Sequence, residues 1–211
     1  KTVYTAFMMG DKSSQFVARS DDFGQTWKPV LVEPLERGTD KDILAVRGPH
    51  VYLVYNAVMK IYASVSHDGG KTWSTYPIVA NTNSKLGWSL PSGGAIAPDG
   101  TAYFAWAGFE ANGKPSGDVN LFVSRSSTGG TTWTTKVVDV SEAPPPCSCG
   151  GWAYWGAQMA LAVDDADDLG RIAASLARLG VAAEPGTDTL TALDPGTRVR
   201  VVVRIAPRLQ Q

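Results

Sequence analysis

Carboxyl, phenol, guanidinium and indole groups recur between the short apolar runs of this 211-residue chain, at Asp11, Arg37, Asp40, Asp42, Trp88, Glu110, Tyr154 and Trp155. Two carboxyl groups whose surroundings push their proton affinities apart can serve as acid and base. An indole face stacks on the apolar side of a sugar ring, while carboxylates accept bonds from its hydroxyls. Cleavage of a glycosidic bond needs two carboxyl groups at a set separation, or a tyrosine nucleophile beside a carboxylate. Tyr154 fits the second scheme if Glu110 or Glu142 approaches it. Asp11, Asp40 and Tyr154 are therefore the catalytic candidates, and Arg37, Asp42, Trp88, Glu110 and Trp155 the substrate-binding ones. The plainer alternative is that the charged groups are solvated surface and that Trp88 plugs a gap between sheets. No metal is expected: Cys147 and Cys149 form a lone Cys-x-Cys, read as a local disulfide or two free thiols, and His50 and His67 are too distant in sequence to complete a zinc set. No cofactor is expected.

The elements that must carry these residues are short alternating runs separated by Gly, Asp and Ser turns. Three octapeptides punctuate them: Ser20-Asp-Asp-Phe-Gly-Gln-Thr-Trp27, Ser66-His-Asp-Gly-Gly-Lys-Thr-Trp73 and Ser126-Ser-Thr-Gly-Gly-Thr-Thr-Trp133. Their starts lie 46 and 60 residues apart, near the period of about 40–50 residues in propeller blades. Each sits between two strand-like runs. In each turn the serine hydroxyl and the carboxylate of Asp22 or Asp68 can accept bonds from turn N–H groups. Gly24, Gly70 and Gly130 can take a positive φ, and Trp27, Trp73 and Trp133 can fold back onto the turn. Thr128 replaces the carboxylate in the third copy, which is expected to be the least rigid. All three octapeptides are read as structural turns.

These octapeptides resemble the Asp-box (BNR) repeats of sialidases and related propellers, over residues 1 to about 165. The resemblance implies four-stranded antiparallel blades, with a second blade over 42–80, a third over 93–140, a first lacking its innermost strand, and a fourth beginning at Gly156–Val163. The expected fold is all-β: a partial propeller of about three blades, followed by a short α+β segment. Closed propellers use about four to eight blades, so the chain is expected to be a truncated or fused piece. The octapeptides would occupy one face and the candidate site the loops of the other. The family holds a substrate carboxylate with three arginines, the first in a Phe/Tyr-Arg-Ile-Pro motif. That motif is absent, only Arg37 is offered on the loop face, and Arg19, Arg47 and Arg125 fall on the other. Asp11 occupies the region of the family's acid/base aspartate.

Composition changes near residue 160. Every aromatic residue lies at or before Trp155, and six of ten arginines lie at Arg171 or later. The recurrence of Leu169, Ile172, Ala173, Leu176 and Leu179 predicts an amphipathic helix, followed by strands around 189–193 and 198–205. This tail, 166–211, resembles the C-terminal half-module of the vicinal oxygen chelate superfamily, with Arg200 about where that family's metal-binding glutamate stands. An unrelated join near Val163–Asp168 is expected. Net charge is −1, which gives no footprint for nucleic acid, and no apolar run suggests membrane insertion. The expected partner is a carbohydrate or glycoconjugate and the expected setting secreted or extracellular. The expected role is a glycoside hydrolase-like, exo-sialidase-like or carbohydrate-binding propeller, with a noncatalytic binding or adhesion module as the alternative. A metal-dependent oxygenase or lyase built on the tail lacks ligands.

Overall fold

The computed structural model describes residues 1–32, 34–57, 60–79, 89–109, 118–141, 159–163, 183–185, 189–193 and 200–204. Three antiparallel sheets follow one another along residues 1–141. The first has strands β1 (Val3–Met8), β2 (Gln15–Ser20) and β3 (Lys28–Val32); the second has β4 (Thr39–Arg47), β5 (His50–Ala57), β6 (Lys60–Ser66) and β7 (Ser74–Val79). The third has β8 (Ser89–Ile96), β9 (Ala102–Phe109), β10 (Val119–Ser126) and β11 (Thr134–Ser141), paired in sequence order. Each sheet is a simple meander, so the described chain is all-β and forms three propeller blades, the first lacking an innermost strand.

Strand composition follows position in the blade. β5 and β6 are covered on both faces by neighbouring sheets and read as nearly continuous buried runs, the pattern of strands with no solvent face. β11 lies outermost and is mostly exposed, with Thr and Lys before its valines and Asp139 among them. One core cluster, with Tyr52, Val54, Ile61, Phe104 and Trp106, fills the space between blades two and three. A second, with Val17, Leu53, Tyr55 and Tyr62, fills the space between blades one and two. Trp106 stacks on Phe122 with ring centroids 4.0 Å apart, and its indole N–H donates to Ser124 Oγ at 2.9 Å. Burial of an aromatic of this size contributes about 2–3 kcal/mol, and its one polar atom is satisfied.

The octapeptides form one turn three times. Ser20, Ser66 and Ser126 Oγ accept from the N–H of Gly24, Gly70 and Gly130 at 2.7, 2.9 and 2.9 Å. Asp22 Oδ1 accepts from Thr26 N and Oδ2 from Thr26 Oγ1 at 2.9 and 2.6 Å; Asp68 does the same with Thr72 at 3.0 and 2.7 Å. Trp27, Trp73 and Trp133 Nε1 donate to the three glycine carbonyls at 3.1, 3.1 and 2.8 Å. The third turn forms despite its missing carboxylate, because Thr128 Oγ1 accepts from Thr132 N at 3.0 Å and pairs with Thr132 Oγ1 at 2.8 Å.

The same turns tie the blades together. Arg19 Nη1 and Tyr4 Oη of blade one donate to Gly69 O in the second turn at 3.1 and 3.2 Å. His67 Nε2 of the second turn meets Gly129 O in the third at 3.0 Å. Arg47 Nη1 donates to Ile96 O at 3.3 Å, again from blade two to blade three. The position before each turn glycine also takes a positive φ: 65° at Phe23, 75° at Gly69 and 67° at Gly129.

Two boundaries differ from expectation. Asp40 was expected in a loop, but β4 already begins at Thr39, because a bulge lets the strand continue through Lys41 and Asp42. Gly156–Val163 was expected to open a fourth blade. No strand occurs at 159–163, where the backbone instead runs against Gly93, leaving an added Cβ 2.9 Å from Leu161 N; residues 156–158 lie outside the described part. Two compact units divide at Ala162/Val163. The second contains an antiparallel sheet of β12 (Ala183–Pro185), β13 (Thr189–Leu193) and β14 (Arg200–Arg204). The predicted strands are present, β12 is additional, and the predicted helix lies outside the described residues.

Candidate functional site

The rim opposite the octapeptides is built where the chain leaves blade one and enters blade two. Residues 9–14 fold into a tight turn, with Met9 N donating to Ser14 O at 3.0 Å, Lys12 N to Met9 O at 2.9 Å, and Lys12 at φ 56°. Lys12 O then accepts from Gly38 N at 2.8 Å and Thr39 N at 3.2 Å, docking the turn onto the start of β4. The Lys12 ammonium reaches Asp40 Oδ2 at 3.2 Å. Asp11, Arg37, Asp40 and Asp42 are thereby gathered at one place from two blades.

The bulge decides how the carboxyl groups point. Asp40 pairs with Asn56 and Ile43 with Val54, so Lys41 and Asp42 together oppose Tyr55. Lys41 takes φ 53°, a left-handed conformation that a lysine adopts at a cost. In a regular strand residues 40 and 42 would share a face. The extra residue sends Asp42 toward blade one, on the side of Tyr55, while Asp40 stays in register with Asn56.

The carboxyl groups differ in character. Asp11 is fully solvated and accepts from Ser13 Oγ at 2.7 Å and Ser13 N at 3.0 Å. These bonds, helped by the charge of Arg37, hold it below the usual carboxylate range. Asp42 is displaced the other way. Burial disfavours its charged form and the Asp40 charge adds to this, while Gln15 acts in the opposite sense without prevailing. Gln15 is fully buried, and among the described residues neither polar atom of its amide finds a hydrogen-bond partner of normal geometry; its approach to Asp42 falls short of one. Asn56 is 1% exposed, and its Oδ1 also lacks a partner. Unpaired buried amides are rare, and each leaves a binding capacity unused. Behind them Lys60 Nζ meets Glu36 Oε1 at 2.5 Å, and Tyr62 is pushed upward, by burial first and Glu36 second.

Of the residues expected at the site, Asp11, Arg37, Asp40 and Asp42 are brought together on this rim. Trp88, Glu110, Tyr154 and Trp155 lie outside the described residues, as do Glu142, Cys147 and Cys149. Gln15, Asn56, Thr39 and Lys12 were not foreseen. A trace was present: Gln15 occupies an inward position two before Val17, and Asn56 interrupts the apolar run of β5. Arg19, Arg47 and Arg125 belong to the octapeptide rim; Arg125 Nε approaches Tyr103 Oη at 3.4 Å. Among the described residues no group of three or more His, Cys, Asp or Glu could hold a metal ion, and no helix is long and apolar enough to cross a membrane.

No family model matches the chain, and no curated protein matches it. Among solved structures it is similar to a mutant of the NanB sialidase from Streptococcus pneumoniae, with 18% identity, a TM-score of 0.46, and coverage of 64% of this chain and 22% of that one. Trypanosoma rangeli sialidase, solved with 2,3-difluorosialic acid as a covalent intermediate, is 14% identical with a TM-score of 0.46, over 95% of this chain and 33% of that one. A Penicillium chrysogenum α-L-arabinanase complexed with arabinobiose is 14% identical with a TM-score of 0.45, over 96% of this chain and 55% of that one. The chain thus spans between about a fifth and just over half of these proteins' lengths.

Proposed function

We propose that the rim formed by the 9–14 turn and the start of β4 is a carbohydrate site of the glycoside hydrolase type, with Asp42 as its proton donor. The observation that carries this reading is the contrast between Asp42, kept protonated to higher pH by burial, and Asp11, kept ionised by Ser13. Two carboxyl groups driven in opposite directions are the arrangement that acid and base roles require. Asp40, fixed by Lys12, is the charge that strengthens the proton's hold on Asp42. Arg37 is a group for a substrate oxygen. Trp88, Glu110, Tyr154 and Trp155 would complete the stacking and nucleophilic parts. The resemblance of the octapeptides to those of sialidases supports the same class and a secreted or extracellular setting. The tail is proposed to be a separate unit.

A panel of fluorogenic glycosides that includes a sialoside and an arabinofuranoside tests the reading, applied to this chain and to any longer protein that contains it. Turnover that Asp42→Asn lowers by two or more orders of magnitude, the usual share of a general acid, is the expected result. Glycan binding without turnover, weakened by Arg37→Ala, would make the site a noncatalytic binding module instead. Turnover indifferent to Asp42→Asn would end the proposal.

A further inference from the structure

The octapeptide rim carries a pair of imidazoles that the proposed carbohydrate site does not use. His50 opens β5 and His67 follows β6. Val51 pairs with Ser66, so the two histidines face each other one step beyond the ladder. Their Nδ1 atoms are 2.8 Å apart, with ring planes 71° to one another. His67 Nε2 lies 3.0 Å from Gly129 O. A carbonyl only accepts, so that nitrogen carries the hydrogen, and neutral His67 presents a bare Nδ1 lone pair to His50. His50 Nδ1 must then be the donor between them. The hairpin holding His50 is fixed to the second octapeptide by Gly69 N donating to Pro49 O at 2.9 Å.

We infer that His50 and His67 form a two-nitrogen chelate for a late divalent transition metal, copper(II) before zinc. Two nitrogens each about 2.0–2.1 Å from an ion stand about 2.9 Å apart in adjacent corners of a square and about 3.3 Å apart at tetrahedral corners. The observed 2.8 Å is the hydrogen bond that the ion would replace, and the spacing for adjacent square corners, which copper(II) and nickel(II) favour, is the nearer of the two to it. Imidazole suits these ions, and affinity peaks at copper. The His67 Nε2–H bond to a backbone carbonyl is the outer support that metal-bound imidazoles use to fix tautomer and orientation. Binding opens the hydrogen bond between the rings: the proton on His50 Nδ1 moves to its Nε2 and the His50 ring turns, so that both Nδ1 lone pairs face the ion and the neutral pair loses no proton. Water fills the remaining positions, since no third protein ligand stands among the described residues. Because Gly129 belongs to blade three and the histidines to blade two, the ion stiffens the link between them.

The probe is copper(II) chloride, titrated into the full chain after alkylation of Cys147 and Cys149. Binding is followed by calorimetry and by the nitrogen hyperfine pattern in electron paramagnetic resonance. One equivalent bound through two imidazole nitrogens is expected. His50→Ala and His67→Ala should each weaken it by at least the 10–100-fold that loss of an outer partner alone costs. Zinc chloride should bind the wild-type chain more weakly and shift both Nδ1 signals in nitrogen-detected NMR, a readout that needs no variant. Equal copper affinity in His50→Ala, or Nδ1 signals that zinc leaves unmoved, would overturn the inference.

Discussion

Asp22 and Asp68 are strongly depressed by the hydroxyl and N–H groups of Thr26 and Thr72, helped by Ser20 and Ser66. A carboxyl that ionises more readily in the folded chain contributes stability that is complete above the unfolded value of 3.8 and fades as pH falls below it. Acid unfolding is therefore expected to steepen below about pH 4, and Asp68→Asn should flatten that dependence when melting temperature is followed against pH. Asp42 has the opposite sign. Its raised value means that stability is lost as pH climbs above the unfolded aspartate value, so Asp42→Asn should raise the melting temperature at pH 7. A cost to the fold at this position fits the proton-donor role proposed for Asp42. Thr128→Asp should give the third turn the two carboxylate bonds of the others and raise the melting temperature slightly.

At the level of strands and turns, the octapeptides were legible because the bonds that shape each turn lie within eight residues. Ser, Asp, Gly, Thr and Trp at fixed offsets specify the turn without reference to the rest of the chain. The start of β4 was not legible. Its bulge depends on pairing with β5 and on Lys12 O receiving Gly38 N and Thr39 N, contacts between segments about 25 residues apart. Gln15 and Asn56 were hidden for the same reason, since an amide in a strand looks alike whether it faces water or a neighbouring sheet. Close packing is checked at Gly94, which faces Phe104 across two strands of the third sheet, and at Gly69, where the first two blades meet. A Cβ at Gly94 would stand 2.2 Å from Phe104 Cε1, so Gly94→Ala should cost about 1–3 kcal/mol by overpacking. Gly69 combines φ 75° with a Cβ position 2.6 Å from Arg19 Nη1. There alanine should cost about 1–2 kcal/mol from the backbone alone, and denaturant unfolding measures both.

For the whole molecule, the change of residue usage near position 160 and the division at Ala162/Val163 coincide. Limited proteolysis should cut first around that point and release the blades as one resistant body; a tail that stays attached and melts together with them would contradict two independent units. Composition made this division visible, whereas the meeting of Asp11 with Arg37 depends on segments whose partners no local pattern names. The blades themselves meet by a rule with an orientation. Arg19 reaches over Gly69, and His67 over Gly129, because neither glycine has a side chain to obstruct the approach. Phe23 stands at the equivalent place in the first turn, 65% exposed, with the Lys1 ammonium 5.7 Å from its ring centroid. A benzyl group fills the notch through which a visiting guanidinium or imidazole would enter. A sheet packed against that side would meet an aromatic ring where the other two turns offer an open carbonyl.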